Sequence, residues 1–236
     1  MGEFFSWQRL ITNFPILIVK LPITFEIVAV AFSFGFVLAL LIATARIKKI
    51  PVLNQILTVF ISFERGTPLL VQMLVVYYAL PILLYSLFGI DTRRWEKIIF
   101  VDLALILNQG VFLGEIFRGA ICSIPKGQRE AALACGFSDF NAFVKVVLPQ
   151  AARVALPATG LTLIGLFQET SLVFMIGVID IIGRAAALGA TTGHNLESYL
   201  IIAFLFVMIN FALTAITTKI DKNLTYGAKS VRTGAA

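Results

Sequence analysis

The sequence is short of charge. Only 14% of its 236 residues are Asp, Glu, Lys or Arg, against about 25% in a soluble domain. The deficit argues against an ordinary water-soluble globule. It is also uneven, because Ile27 to Ala45, Gly66 to Ile90 and Ser198 to Thr218 carry no charge at all. Histidine is nearly missing. The single copy, His194, falls in a segment read below as an outer loop, so an intramembrane hydrolase lacks its usual base. The two cysteines, Cys122 and Cys135, match no metal-ligand spacing, and no metal is expected. Both fall in segments read below as cytoplasmic, a reducing compartment, so two free thiols are the expectation. There is no GxxxxGK[ST] phosphate loop, so the chain itself is not expected to bind ATP, and no cofactor is implied. Absent too is the alternating polarity, over about ten residues at a time, that marks a membrane barrel.

What is present is continuous apolar sequence. A helix that crosses hydrocarbon needs about 20 such residues and satisfies its backbone hydrogen bonds within itself. The three uncharged runs qualify. Two more are long enough but interrupted: Ile98 to Ile121 holds Asp102, Glu115 and Arg118, while Val154 to Ile179 holds only Glu169. The expectation is an all-α membrane protein, residues 1–236 forming one domain with about five transmembrane helices in contact with lipid. The first span begins well inside the chain, with no basic segment before it and no small-residue cleavage site after it, and reads as retained.

The net charge of +6 flanks the spans. Arg46, Lys48 and Lys49 follow the first; Lys126, Arg129, Lys145 and Arg153 lie between the third and fourth; Lys219, Lys222, Lys229 and Arg232 follow the fifth. The positive-inside rule places these segments in the cytoplasm, hence the N-terminus outside and the C-terminus inside. The connection Asp91 to Lys97 dissents, with Arg93, Arg94 and Lys97 outside. Because the basic residues form no single face, no nucleic-acid partner is expected.

Phe4 to Phe14 mixes Phe, Trp and Leu with polar residues and suits a short helix in the outer interface. Pro51 to Phe88 is too long to be one straight span. It reads as a bent unit broken at Glu64-Arg65-Gly66-Thr67-Pro68, with Thr67 as the cap of the second part and Pro68 in its first helical position.

Ile124 to Pro157 is the most informative stretch. It reads as a short Ala-rich helix from Lys126 to about Cys135, closed by Gly136, then a second short helix capped by Ser138 that stops near Leu148-Pro149. Alanines allow close backbone approach, and Arg129 and Glu130 can make directional contacts at a rim. Such a helix, displayed between two spans, suits docking into another protein.

Glu130-Ala131-Ala132, then Gly136, Val146 and Leu148-Pro149, resembles the EAA loop of ABC importer permeases, with Val146 where Ile is usual. The resemblance extends to Glu64 through Gln72, Glu115 through Ile121 and Thr170-Ser171-Leu172, and is closest to the polar amino acid branch. It implies a type I importer permease fold in a bacterial inner membrane, with a coupling loop at about 123–150. Lys126, Gly127, Arg129, Glu130, Ala131, Ala132 and Gly136 then carry the ATPase coupling. The implied partners are two ATP-binding subunits, an extracytoplasmic substrate-binding protein and a second permease, identical or paralogous. Phe174 to Leu188 is similar to permeases for cystine and related sulfur amino acids. The rival reading is a secondary amino acid transporter or channel, which would carry inverted repeats or a dense polar path.

Polar groups inside spans are expensive unless they meet a cavity or a partner. Asn108 and Gln109 fall near the middle of the third span, and Gln168 and Glu169 near the middle of the fourth. Glu169 can take an amino acid's ammonium, while Asn108, Gln109 and Gln168 can donate to its carboxylate. The resembled family commonly has Lys-Asp where Gln168-Glu169 stands, so here the acid is kept and the base is lost. Glu115 and Arg118, three apart, are expected to form a structural ion pair. Arg65 is expected to pair structurally with Glu64 or a neighbouring helix.

Overall fold

The computed structural model describes residues 5–232, with side chains through Lys222. The chain is helical along its length: α1 (Trp7–Ile18), α2 (Leu21–Ile47), α3 (Leu53–Gly66), α4 (Leu69–Phe88), α5 (Lys97–Cys122), α6 (Lys126–Ala134), α7 (Asp139–Ala142), α8 (Leu148–Glu169), α9 (Ile181–Thr192) and α10 (Leu196–Arg232). Five stretches are long and apolar enough to cross a membrane: α2, α4, α5, the run Asp139–Ile176 and the part of α10 from Leu196 to Lys222.

Lipid is as apolar as leucine, so these helices gain little from burying side chains against one another, and close van der Waals packing must hold them together. The contact between α2 and α5 shows how. Gly35 meets Gln109, Leu38 lies over Gly110 and Ile42 over Gly114, so the two helices run parallel at close range. A β-carbon at position 35 would sit 2.7 Å from that of Gln109. Only glycine fits there without driving the helices apart. Around this pair, Ile27, Ala31, Met73, Val101, Leu105, Leu166 and Phe167 form the main core, built from α2, α4, α5 and α8.

Three expectations change. The first helix is longer than the Phe4 to Phe14 segment and packs on the bundle: Leu17 is buried with Ile181, Ala185 and Ile201. The Ser6 amide donates to Glu197 Oε1 at 2.8 Å, and Asn13 to the Ser198 hydroxyl at 3.1 Å. Phe4 lies outside the described residues.

The second change is at the α3–α4 break. Pro68 is the cap and Leu69 the first helical residue. The Thr67 hydroxyl donates back to the Phe63 carbonyl at 2.8 Å and accepts from Gln72 Nε2 at 3.1 Å. It therefore serves the end of α3 instead of capping α4.

The third is in the loop. The helix after Ser138 does not stop at Leu148-Pro149 but continues through one π-helical stretch, Phe143–Val147, into α8. Pro149 lacks an amide hydrogen, and its ring crowds the carbonyl four residues back. Widening the preceding turn lets the helix pass a proline that would otherwise break it. The fourth span accordingly starts earlier than Val154, and α8 ends at Glu169 in a tight 3-10 segment, Thr170–Ile176.

Candidate substrate site and docking loop

The mid-bundle site is assembled from two helices. Gln109 on α5 and Glu169 at the end of α8 come together, Gln109 Nε2 donating to Glu169 Oε2 at 3.5 Å. That distance marks a weak bond. Gln109 is 2% exposed and its Oε1 has no partner, while Glu169 is half-buried. Gln168, the next residue back, points elsewhere and is exposed. The structure thus joins Gln109 to Glu169 and leaves Gln168 on another face of α8.

Asn108 belongs to a second arrangement. Its Nδ2 donates to Gln72 Oε1 at 2.8 Å. Gln72 Nε2 in turn donates to the Glu64 carbonyl at 2.6 Å and the Thr67 carbonyl at 3.0 Å. A helix that ends inside a bundle leaves its last carbonyls without partners; here the Gln72 amide supplies them. Because its NH2 group must face those carbonyls, its oxygen is left for Asn108. The Asn108 Oδ1 and Glu64 Oε2 atoms remain buried without partners. Sequence reasoning passed over Gln72, although an amide one helical turn past a Thr-Pro break was a usable signal.

The expected Glu115–Arg118 pair forms, at 2.8 Å, and is larger than foreseen. Arg46 approaches Glu115 at 3.6 Å and also donates to Asn54 Oδ1 at 3.0 Å and the Thr58 hydroxyl at 2.6 Å. The group fastens α2, α3 and α5 together at one end of the bundle. Arg65 departs from expectation. Glu64 is 5% exposed whereas Arg65 is exposed, and among the described residues no ion pair joins Arg65 to any acid.

At the same end of the bundle as the Arg46 group, α6 stands out from the spans. Lys126, Gly127, Arg129, Glu130 and Ala131 are exposed, while Ala132 is buried. Gly136 takes φ +86°, the left-handed conformation that ends α6. The Phe137 amide closes the turn by donating to the Ala132 carbonyl at 3.1 Å. Ser138 caps α7, accepting from the Asn141 amide at 3.3 Å. Arg129 pairs with Asp139, so it braces α6 against α7. This exposed pair adds about 1 kcal/mol at most. Phe140 is 74% exposed, and Phe137 and Leu133 are exposed as well. The exposure of these two aromatics was missed in the sequence.

Residues 10–226 match the family described as binding-protein-dependent transport system inner membrane component. The chain belongs to that family. It is an importer permease, a membrane component of ABC transport systems, and its relatives span nearly its whole length. The L-cystine transport system permease protein of Bacillus subtilis (strain 168) is 38% identical, covering 89% of this permease and 90% of the relative. The glutamine transport system permease protein of Escherichia coli (strain K12) is 31% identical, covering 93% and 98%. A crystallised amino acid ABC transporter with histidines superposes with a TM-score of 0.82 at 26% identity, covering 93% of this permease and 99% of that chain.

Proposed function

We propose that this permease imports polar amino acids, with L-cystine the favoured substrate, driven by two ATP-binding subunits and supplied by an extracytoplasmic binding protein. A second permease, identical or paralogous, completes the path. The observation that carries the reading is Glu169, half-buried, held against Gln109 and the only charged residue between Val154 and Ile179. An isolated acid at that depth suits a group that arrives with a positive charge. The 38% identity to a cystine permease supports the finer substrate assignment.

The proposed orientation keeps the N-terminus outside and α6 in the cytoplasm, following the placement of Lys and Arg. Cys122 and Cys135 are both exposed. An impermeant maleimide should therefore label them only after cells are permeabilised; labelling in intact cells would reverse the topology.

Substrate choice is tested by uptake into proteoliposomes holding the complete complex, using labelled L-cystine, L-glutamine and L-arginine. L-cystine should be carried at least about tenfold more efficiently than the others, the discrimination that 1.4 kcal/mol supplies. Equal or greater uptake of another amino acid would remove the cystine assignment, and uptake of none would remove the class.

A further inference from the structure

We propose that Arg65 faces the water-filled path between two permease subunits and takes the carboxylate of the transported amino acid, opposite Glu169. The inference rests on the amino acid reading above.

Depth comes first. The end of α3 is tied to α5 through the bonds from Gln72 to the Glu64 carbonyl and from Asn108 to Gln72. Asn108 lies about 17 Å from one end of α5 and about 21 Å from the other, at 1.5 Å per residue. Its neighbour Gln109 abuts Gly35, which sits near the middle of the uncharged run of α2. Arg65 is therefore rooted near mid-depth.

Direction follows from helix geometry. Ile61 and Glu64 are the buried residues of α3, so its inward face is fixed. Arg65, one residue on, turns away from the bundle and is exposed. With the hydrocarbon about 30 Å thick, the nearer interface is about 15 Å away, too far for an arginine to snorkel. A guanidinium left in lipid at this depth is strongly disfavoured, and such groups face a cavity or another subunit. The local backbone agrees. Gly66 and Pro68 are exposed, and no atom outside the local chain lies within 4 Å of where a Gly66 β-carbon would be. A helix broken in mid-membrane is tolerated where it lines a cavity, the arrangement by which transporters bind substrate.

Chemistry supplies the role. The polar side chains that α3, α4, α5 and α8 bring to mid-depth include Glu64, Gln72, Asn108, Gln109, Gln168 and Glu169, two acids and four amides. Three buried atoms of this set lack partners, Glu64 Oε2, Asn108 Oδ1 and Gln109 Oε1, and all three are acceptors. These groups suit an ammonium and offer a carboxylate only neutral amides. Among the described residues, Arg65 is the cation at this level, since Arg46 and Arg118 are engaged with Glu115 at the end of the bundle. A guanidinium can also hold a carboxylate through two parallel bonds, which fixes its orientation.

The test compares Arg65→Gln and Arg65→Lys with the wild type, each in the complete complex in proteoliposomes with saturating binding protein. Uptake of labelled L-cystine, L-glutamine and L-arginine is measured alongside ATP hydrolysis. Arg65→Gln should lower uptake roughly 10- to 150-fold, the range for a hydrogen bond to a charged group. Assembly and binding-protein-stimulated hydrolysis should persist, and Arg65→Lys should exceed Arg65→Gln in uptake. Normal uptake with Gln, no advantage of Lys over Gln, or loss of assembly with Gln would each overturn the proposal. Failure of the amino acid reading would show separately, as no uptake by the wild type.

Discussion

Permeases carrying Glu130→Arg or Gly136→Val should insert normally into the membrane but no longer retain their ATP-binding subunits. The two changes act differently. Glu130 is exposed on α6, and reversing its charge would replace the proposed directional contact with a repulsive one. Gly136 holds φ +86°, and a β-branched side chain there is penalised by at least about 1–2 kcal/mol. Relief of that strain moves the turn that aims α6. A docking contact of this kind is worth about 2 kcal/mol or more, so recovery of the ATPase in pull-down should fall roughly 30-fold. Stimulated ATP hydrolysis should fall with it. Ala132 is a poorer place for the experiment, because it is buried within the loop and a large residue there would disturb the loop's own packing. Normal recovery and stimulation in both variants would reduce the loop to a connector.

Glu169→Gln should separate transport from assembly. The substitution keeps shape and removes charge, and Gln109 can still donate to the new amide. If the acid receives the substrate ammonium, affinity in uptake should weaken roughly 10- to 150-fold while the complex assembles normally. The opposite pattern, intact affinity with poor assembly, would make Glu169 a packing residue. An interhelical bond of that kind contributes only about 0.6 kcal/mol.

The spans were legible because hydrocarbon excludes charge: the uncharged runs lie inside α2 and α10, and the run Gly66 to Ile90 encloses α4. The docking loop was legible because Gly136 and Ser138 act locally: one needs a left-handed turn, the other caps the helix that follows. Pro149 misled for the same reason. Its local preference is to stop a helix, and only the widened turn at Phe143–Val147, set by the continuation into α8, lets the helix pass. Thr67 misled likewise, since its hydroxyl is engaged by the Gln72 side chain and the Phe63 carbonyl instead of by a backbone amide of α4. In the site, Glu169 could be singled out as an isolated acid. Its partner Gln109, the inward turn of Glu64 and the outward turn of Arg65 depend on how α3, α5 and α8 meet, which no local pattern records.

ATP-dependent uptake by the reconstituted complex tests the central claim most directly. Proteoliposomes holding this permease, its permease partner where there is one, the ATP-binding subunits and the binding protein are loaded with ATP or with a non-hydrolysable analogue. Labelled L-cystine, L-glutamine and L-arginine are offered on the binding-protein side. At least one should accumulate against its gradient with ATP and none with the analogue, and Glu130→Arg should abolish the accumulation. Uptake that proceeds equally with the analogue, or in liposomes lacking the ATP-binding subunits, would contradict the account and leave a secondary transporter in its place.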